Sequence, residues 1–379
     1  MKQTARIIST YSADTFGVCS ALFELGGMVV MHDASGCNST YTTHDEPRWY
    51  DMDSMVYISG LSEMDAIMGD DEKIIGDIVA AAEDLQPKFI AIAGTPIPTM
   101  TGFDFTAIAE LVEARTGIPA FGFATTGMKT YVEGAAMAFA GIARRFVKRN
   151  VEKTAHLSAN ILGVTPLDFS VNGSEASMKT FLEKAGFEVL SCWAMGSSLE
   201  EIAEAGRASV NLVVSSTGIE AARALKELFG TPYVVGTPIG STFQKILVEE
   251  LLEAVRTGEI PAKNRRPLMK SSLAGSEIAV IGEGVTALSL AHAIELEYER
   301  SVKILCTTEC ERIYLRDKDA LVTCEDEIIE ALQGVKMVIA DPLYEPICPK
   351  NAAFIPLPAE SFSGRIYRKN IPNLIAEFE

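Results

Sequence analysis

The sequence predicts an α/β protein built of three Rossmann-like domains, each a parallel sheet flanked by helices. Short apolar runs closed by Gly, Ser or Thr alternate with amphipathic helical stretches. That alternation restarts twice, each time after a polar, basic or proline-bounded segment. With 379 residues, 48% of them hydrophobic, the chain is also too long for one ordinary core.

The first domain is read as residues 1–154. Its strands are the apolar runs 28–31, 55–59, 89–93 and 120–123. Between them, residues 70–85 place apolar side chains at 74, 75, 78, 79, 82 and 85, one face of a helix, with Asp70 and Asp71 suited to its N-terminus. Further helices fall at 105–115 and 132–148, and the basic, polar stretch 144–154 marks a boundary. The second domain, 155–272, repeats the pattern with strands at 160–164, 188–192, 211–215 and 233–236. Its helices are 173–185, 219–229 and 240–256, and a charged linker runs from Pro261 to Pro267. The third, 273–379, opens with a strand at 277–281 and a helix at 286–296. It continues through 302–306, 325–332, 335–340 and 353–355.

A net charge of −18 argues against nucleic-acid and anionic-membrane partners, which would be repelled. No apolar run reaches membrane-spanning length and the N-terminus lacks the pattern of a signal peptide, so a cytoplasmic protein is expected. The seven cysteines are dispersed and odd in number, unlike a disulfide framework. Cys-x-x-Cys, His-Glu-x-x-His and phosphate-loop patterns are missing, which argues against a self-contained zinc site or self-contained ATP hydrolysis.

The functional expectation centres on the strand 28–31 and the turn that follows it, His32-Asp-Ala-Ser-Gly36-Cys37. A parallel strand delivers its C-terminal loop to the sheet edge where open α/β folds keep their ligands. Gly36 frees the backbone to aim the Cys37 thiol outward. His32 shares that strand end, while His44, His156 and His292 read as loop, domain-edge or helix positions. Cys19 lies on the preceding helix and is read either as a neighbour of Cys37 or as a buried helix residue. Two thiols do not complete the four ligands of an iron–sulfur cluster, so a second chain would have to supply the rest. Gly282-Glu-Gly284-Val-Thr-Ala287 has the form of a dinucleotide fingerprint, but no acid stands at the expected distance and a plain tight turn is the simpler reading. Cys306, Cys310 and Cys324 could ligate a metal; Cys306, inside an apolar run, reads instead as a small core residue.

Several of these stretches together resemble the component 1 family of nitrogenase and nitrogenase-like reductases. His32 to Cys37 resembles the family's His-Gly-Pro-x-Gly-Cys cluster loop, and Ser59 to Lys73 its Leu-x-Glu-x-Asp-x-x-x-Gly-x-x-x-Lys segment. Phe181 to Val189 and Leu228 to Gly240 are similar too. The resemblance implies three Rossmann-like domains and a homodimer or heterodimer of component 1-like subunits. It also implies an interfacial iron–sulfur cluster, [4Fe-4S] in type, fed by a separate ATP-dependent iron–sulfur reductase. Cys37 would be a metal ligand, with Cys19, Asp33 and Gly36 beside it; Asp is an oxygen ligand to a cluster in the protochlorophyllide branch.

The departures are equally specific. The family's first cluster cysteine falls near Ala13 and its third on Thr95, before Pro96. Ser215 stands where catalytic nitrogenase subunits carry the cofactor-binding cysteine, and the large subunits' C-terminal extension has no counterpart, so no molybdenum–iron cofactor is expected. The substrate cleft is expected among the domains near Thr95, Thr125 and Ser215. Three readings stay open: an electron-accepting reductase subunit, a non-catalytic scaffold or assembly protein for a cluster or cofactor, and a cluster-free binding subunit.

Overall fold

The computed structural model describes residues 12–261 and 277–378. In the first domain the apolar runs form β1 (Met28–Met31), β2 (Met55–Ile58), β3 (Ile90–Ala93) and β4 (Ala120–Phe123), all parallel in the order β2-β1-β3-β4. Every residue of β1 and β3 is buried, which is why they read as continuous apolar runs rather than as alternation. The helices are α1 (Asp14–Leu22), α2 (Cys37–Thr40), α3 (Glu63–Met68), α4 (Asp71–Leu85), α5 (Pro96–Thr101), α6 (Phe105–Thr116) and α7 (Tyr131–Phe146).

One face of the sheet packs Met28, Val30, Ile90 and Ile92 against Ile74, Ile75 and Ile78 of α4 and Ile108 and Val112 of α6. The other face meets α1 and α7. Those two helices touch backbone to backbone: a Cβ on Gly17 would stand 2.0 Å from the Tyr131 carbonyl oxygen, and one on Gly134 would stand 1.8 Å from that of Asp14. The sequence expectation missed α3 and α5, because each is a single short helix following a strand and too brief to show a period.

The second sheet joins β5 (Ser158–Leu162), β6 (Glu188–Cys192), β7 (Val210–Val213) and β8 (Tyr233–Val235) in the order β6-β5-β7-β8. Its helices are α8 (Pro166–Phe169), α9 (Ser174–Lys184), α10 (Leu199–Ala203), α11 (Ile219–Phe229) and α12 (Ser241–Thr257). The third sheet joins β9 (Ile278–Gly282), β10 (Val302–Cys306), β11 (Ala320–Leu321), β12 (Met337–Ala340) and β13 (Ala353–Pro356) in the order β11-β10-β9-β12-β13. It carries α13 (Gly284–Tyr298), α14 (Glu325–Ala331) and α15 (Glu360–Ser363). All ladders within the three sheets are parallel, so each sheet sends its strand ends to one edge and reverses strand order beside its first strand.

The domains share cores, and a cavity of about 430 Å³ remains between the second and third, lined by Tyr233, Glu250, His292, Tyr314 and Arg316 among others. The largest cluster runs from α1 and α7 through α11, and Trp193 of the second domain meets Phe139 of the first edge-on at 6.1 Å. The C-terminal segment also crosses back over its neighbours. Asn172 Nδ2 donates to the Ile371 and Pro372 carbonyls, and Arg368 Nη2 donates to the Asp45 carbonyl at 2.8 Å. The division at 154/155 lies between α7 and β5, whereas that at 272/273 lies outside the described residues. No described helix is long and apolar enough to cross a membrane.

Candidate functional site at the edge of the first sheet

At the end of β1 the chain turns through His32 and Asp33 with its polar groups tightly assigned. Thr95 Oγ1, beyond β3, lies 2.9 Å from Asp33 Oδ1 and 3.0 Å from the His32 carbonyl, while Asn38 Nδ2 donates to Asp33 Oδ2 at 2.6 Å. Both Asp33 oxygens are thus oriented by neutral donors, one beyond β3 and one in α2, with lone pairs to spare. Ser59 Oγ sits 2.8 Å from His32 Nδ1 and accepts the Asp33 amide at 3.1 Å. His32 packs at a tilt against Phe103, centroids 4.3 Å apart, and burial pushes its pKa down to about 4, so the ring is neutral at physiological pH.

The chain then leaves the sheet. Ser35 and Gly36 both take positive φ, and the space where a Gly36 Cβ would point holds nothing within 4 Å. Gly36 therefore serves the turn and not a close approach. Cys37 opens α2 on the far side of this projecting turn; its side chain lies outside the described part of the structure.

Behind the loop stands a buried anchor. Arg48 pairs with Glu46 at 2.7 Å and Glu24 at 3.1 Å, and donates to the Ser20 and Ala194 carbonyls. Tyr41, stacked on Phe16, donates its hydroxyl to Glu46. A surface cavity of about 120 Å³ opens next to the loop, lined by His32, Ser59, Asp65, Lys73 and Phe103. The segment 59–73 builds this wall. Ser62 and Asp65 cap α3 reciprocally, and Lys73 reaches back to Asp65 at 2.5 Å, holding its carboxyl down at about 2. The residues that make the segment recognisable therefore have structural work here.

Around the same edge lies a feature that sequence reasoning missed. Met64, Ile67 and Met68 on α3, Ile97 and Met100 on α5, and Met128 after β4 are all exposed, Met100 by 86% and Met128 by 79%. They follow three different strands, so only the parallel sheet collects them on one rim. Exposed apolar side chains gathered this way mark an interaction surface.

Thr95 belongs to this site, and the remaining expected residues fall elsewhere. Cys19 is wholly enclosed in the core shared by α1 and α7, and burial raises its thiol far above the ordinary range. Of its two sequence readings, the buried helix residue is the one the packing supports. Thr95, Thr125 and Ser215 do not line one open cleft, as all three are buried and internally bonded. Thr125 Oγ1 donates to the Gly94 carbonyl at 2.8 Å, and Ser215 Oγ donates to Asp168 Oδ2 at 2.7 Å. Ala13, where the resemblance places a cluster cysteine, forms an antiparallel bridge with Thr130.

Where the second and third domains meet near Ser215, only about 70 Å³ of cavity remains, lined by Asp168, Glu283, Asp341 and Ser361 among others. That is space for about two waters. Asp168 is held by Thr165, Ser215 and the Tyr131 hydroxyl, and burial, then Glu283, lifts its pKa to about 7. The turn Gly282–Ala287 does join a strand to a helix. Yet Glu283 folds its own carboxylate onto the Val285 and Thr286 amides at 3.0 and 2.9 Å. The place where a pyrophosphate would sit on the helix N-terminus is taken by this side chain. The structure thus supports the tight-turn reading. A signal for this was available, namely an acid at the capping position of the turn.

The model of the nitrogenase component 1 type oxidoreductase family matches residues 14–336. The chain belongs to that family. Among curated proteins, this family member is 24% identical to the nitrogenase molybdenum-iron protein alpha chain of Clostridium pasteurianum over 60% of its own length and 41% of the relative's. It is 26% identical to the nitrogenase iron-molybdenum cofactor biosynthesis protein NifE of Sinorhizobium fredii, over 70% of its own length and 58% of that protein's. A shorter match, 40% identical but covering 24% of this chain and 18% of the relative, is to one of the subunits of light-independent protochlorophyllide reductase from Leptolyngbya boryana. The component 1-type chain thus spans less than two thirds of each of these relatives. A solved chain described as nitrogenase Cp1 at pH 6.5 superposes with a TM-score of 0.71 at 18% identity, covering 100% of this chain and 93% of that one. The likeness is one of fold.

Proposed function

We propose that this component 1-type protein is a subunit of a nitrogenase-like reductase and binds an iron–sulfur cluster on the carboxyl edge of its first sheet, shared with a second component 1-like subunit. The observation that carries the reading is the exposed apolar rim of Met64, Ile67, Met68, Met100 and Met128 around the projecting loop of Asp33, Gly36 and Cys37. Among the described residues no group of three or more His, Cys, Asp or Glu side chains could hold a metal ion within one chain. The donor set fits a shared site only: Cys37 and Asp33 from each of two chains, or these with a partner's cysteines, make up the four ligands such a cluster takes. Bound there, the cluster would relay single electrons from an ATP-dependent iron–sulfur reductase.

This chain's own residues have separate parts. Thr95 and Asn38 fix the Asp33 carboxylate, Gly36 lets the chain turn outward, and the apolar rim excludes water once a partner covers it. Anaerobic purification followed by iron and sulfide analysis and electron paramagnetic resonance tests the reading. A cluster signal that disappears in Cys37→Ala is expected; iron-free dimers, or a signal indifferent to that substitution, would refute it. Met64→Glu with Met100→Glu should weaken self- or partner association roughly 10-fold or more while leaving monomer stability within about 0.5 kcal/mol.

A second reading, scaffold or assembly protein for a cofactor, is favoured by the NifE likeness across 70% of the chain. Turnover of a reducible substrate with an ATP-dependent reductase would select the first reading. A bound cluster that transfers to an acceptor protein without turnover would select the second.

A further inference from the structure

Cys306 ends β10 and Cys310 follows four residues on, in the loop that leaves the carboxyl edge of the third sheet. This loop folds over the start of α13. A Cβ on Gly284 would stand 2.5 Å from Cys310 Sγ and 3.3 Å from Cys306 Sγ, so both sulfurs crowd one point that glycine leaves free. The two thiols are free, Cys306 Sγ lying 3.5 Å from the Thr308 carbonyl and Cys310 Sγ 3.7 Å from the Glu311 carbonyl. Their access differs, for Cys306 is fully buried while Cys310 is half-buried and within reach of a small reagent. The same loop ties the three domains together. The Glu309 carboxylate accepts from the Thr130 amide at 3.1 Å and from the Thr130 hydroxyl, and Glu311 pairs with Arg223 at 2.5 Å.

We propose that Cys306 and Cys310 are a redox modification site, closing to an intramolecular disulfide with a small-molecule disulfide as oxidant and loosening the third domain's hold on the first. Cys310, having given its proton to solvent, attacks one sulfur of the reagent, forms a mixed disulfide and expels a thiolate. Cys306 gives its proton to the first expelled thiolate, attacks the Cys310 sulfur and expels the second thiolate, which takes up the proton that Cys310 released to solvent. Two electrons pass from the two protein thiols to the reagent, which leaves as two thiols.

A disulfide bond is about 2.05 Å long, so the two sulfurs that converge on Gly284 must still close on each other. Cys306 is fixed in β10, and the movement therefore falls on Cys310 and its neighbour Glu309. The Glu309–Thr130 tie is the first contact that this displaces.

The test incubates the full chain with oxidised glutathione, alkylates the remaining thiols and maps the peptides. A peptide spanning 306–310 that has lost two hydrogens is expected, together with roughly 10-fold faster hydrogen exchange at the Thr130 amide. Cys306→Ser should retain glutathione on Cys310, and Cys310→Ser should leave Cys306 unmodified. Full alkylation of both cysteines after incubation, or cross-linking to other cysteines instead, overturns the site. A disulfide that forms while Thr130 exchange stays unchanged overturns the domain release. The wild-type map decides these points even where a variant folds poorly.

Discussion

At the carboxyl edge of the first sheet, the loop after β1 carries Ala34 and Gly36 out to solvent and is ringed by exposed methionines. At the corresponding edge of the third sheet, the loop after β9 turns Glu283 back onto the start of α13 and lies under the second domain's Ser216. Both loops follow the central strand where strand order reverses, the position at which open α/β sheets receive ligands. One has its polar groups arranged to hold a turn outward; the other has its anion site filled from within. The comparison teaches that topology nominates a site and side chains decide whether it stays free.

Four measurements break or sharpen this contrast, beginning with the largest effect. Arg48→Ala removes the cation beneath the open loop and leaves Glu46 buried without its partner. A loss of about 3–5 kcal/mol in urea denaturation is expected; a loss under ~1 kcal/mol would mean that the loop is held by packing alone.

Next, the junction at Asp168 should carry a pH dependence. Burial and then Glu283 raise the Asp168 pKa to about 7, so the folded state keeps a proton that the unfolded chain releases near pH 4. The group's contribution is complete below about pH 4 and is lost as pH rises toward and through about 7. Asp168→Asn should abolish that decline, on the order of 1–3 kcal/mol between pH 4 and 8. Parallel stability curves for the two proteins would show the junction to be electrostatically idle.

At the open edge the sign reverses. His32 titrates at about 4 in the folded protein, below its unfolded value near 6.5, so its stabilisation is present above about pH 6.5 and fades as pH falls toward 4. Phe103→Ala admits water to the ring and should move the His32 titration, followed by nuclear magnetic resonance, upward by roughly one unit or more. Smallest of all, Lys73→Met should leave the urea midpoint close to that of the wild type, because its pair with Asp65 is solvent-exposed.

Much of the architecture was legible because fully buried parallel strands such as β1 and β3 leave unbroken apolar runs. β11 was not, since two residues, Ala320 and Leu321, make no period. In the site, the outward turn at Gly36 could be read from residue type, and its positive φ agrees. The methionine rim could not, as its members lie up to 64 residues apart between Met64 and Met128 and meet only through strand order. Cys19 shows the opposite limit. Its helix was readable, but which side of that helix faced α7 was set by the backbone contact of Gly17 with Tyr131.

The sequence by itself determined three cycles of strand and helix, the family, and the loop on which chemistry is to be sought, because these depend on local periodicity and on motifs contiguous in the chain. Only the tertiary structure decided that the first sheet's edge is open and apolar, that Asp168 and Glu283 line one small cavity at a domain junction, and that Cys306 and Cys310 converge on Gly284. Those outcomes depend on which side chains meet across elements far apart in the chain, and no local pattern encodes such meetings.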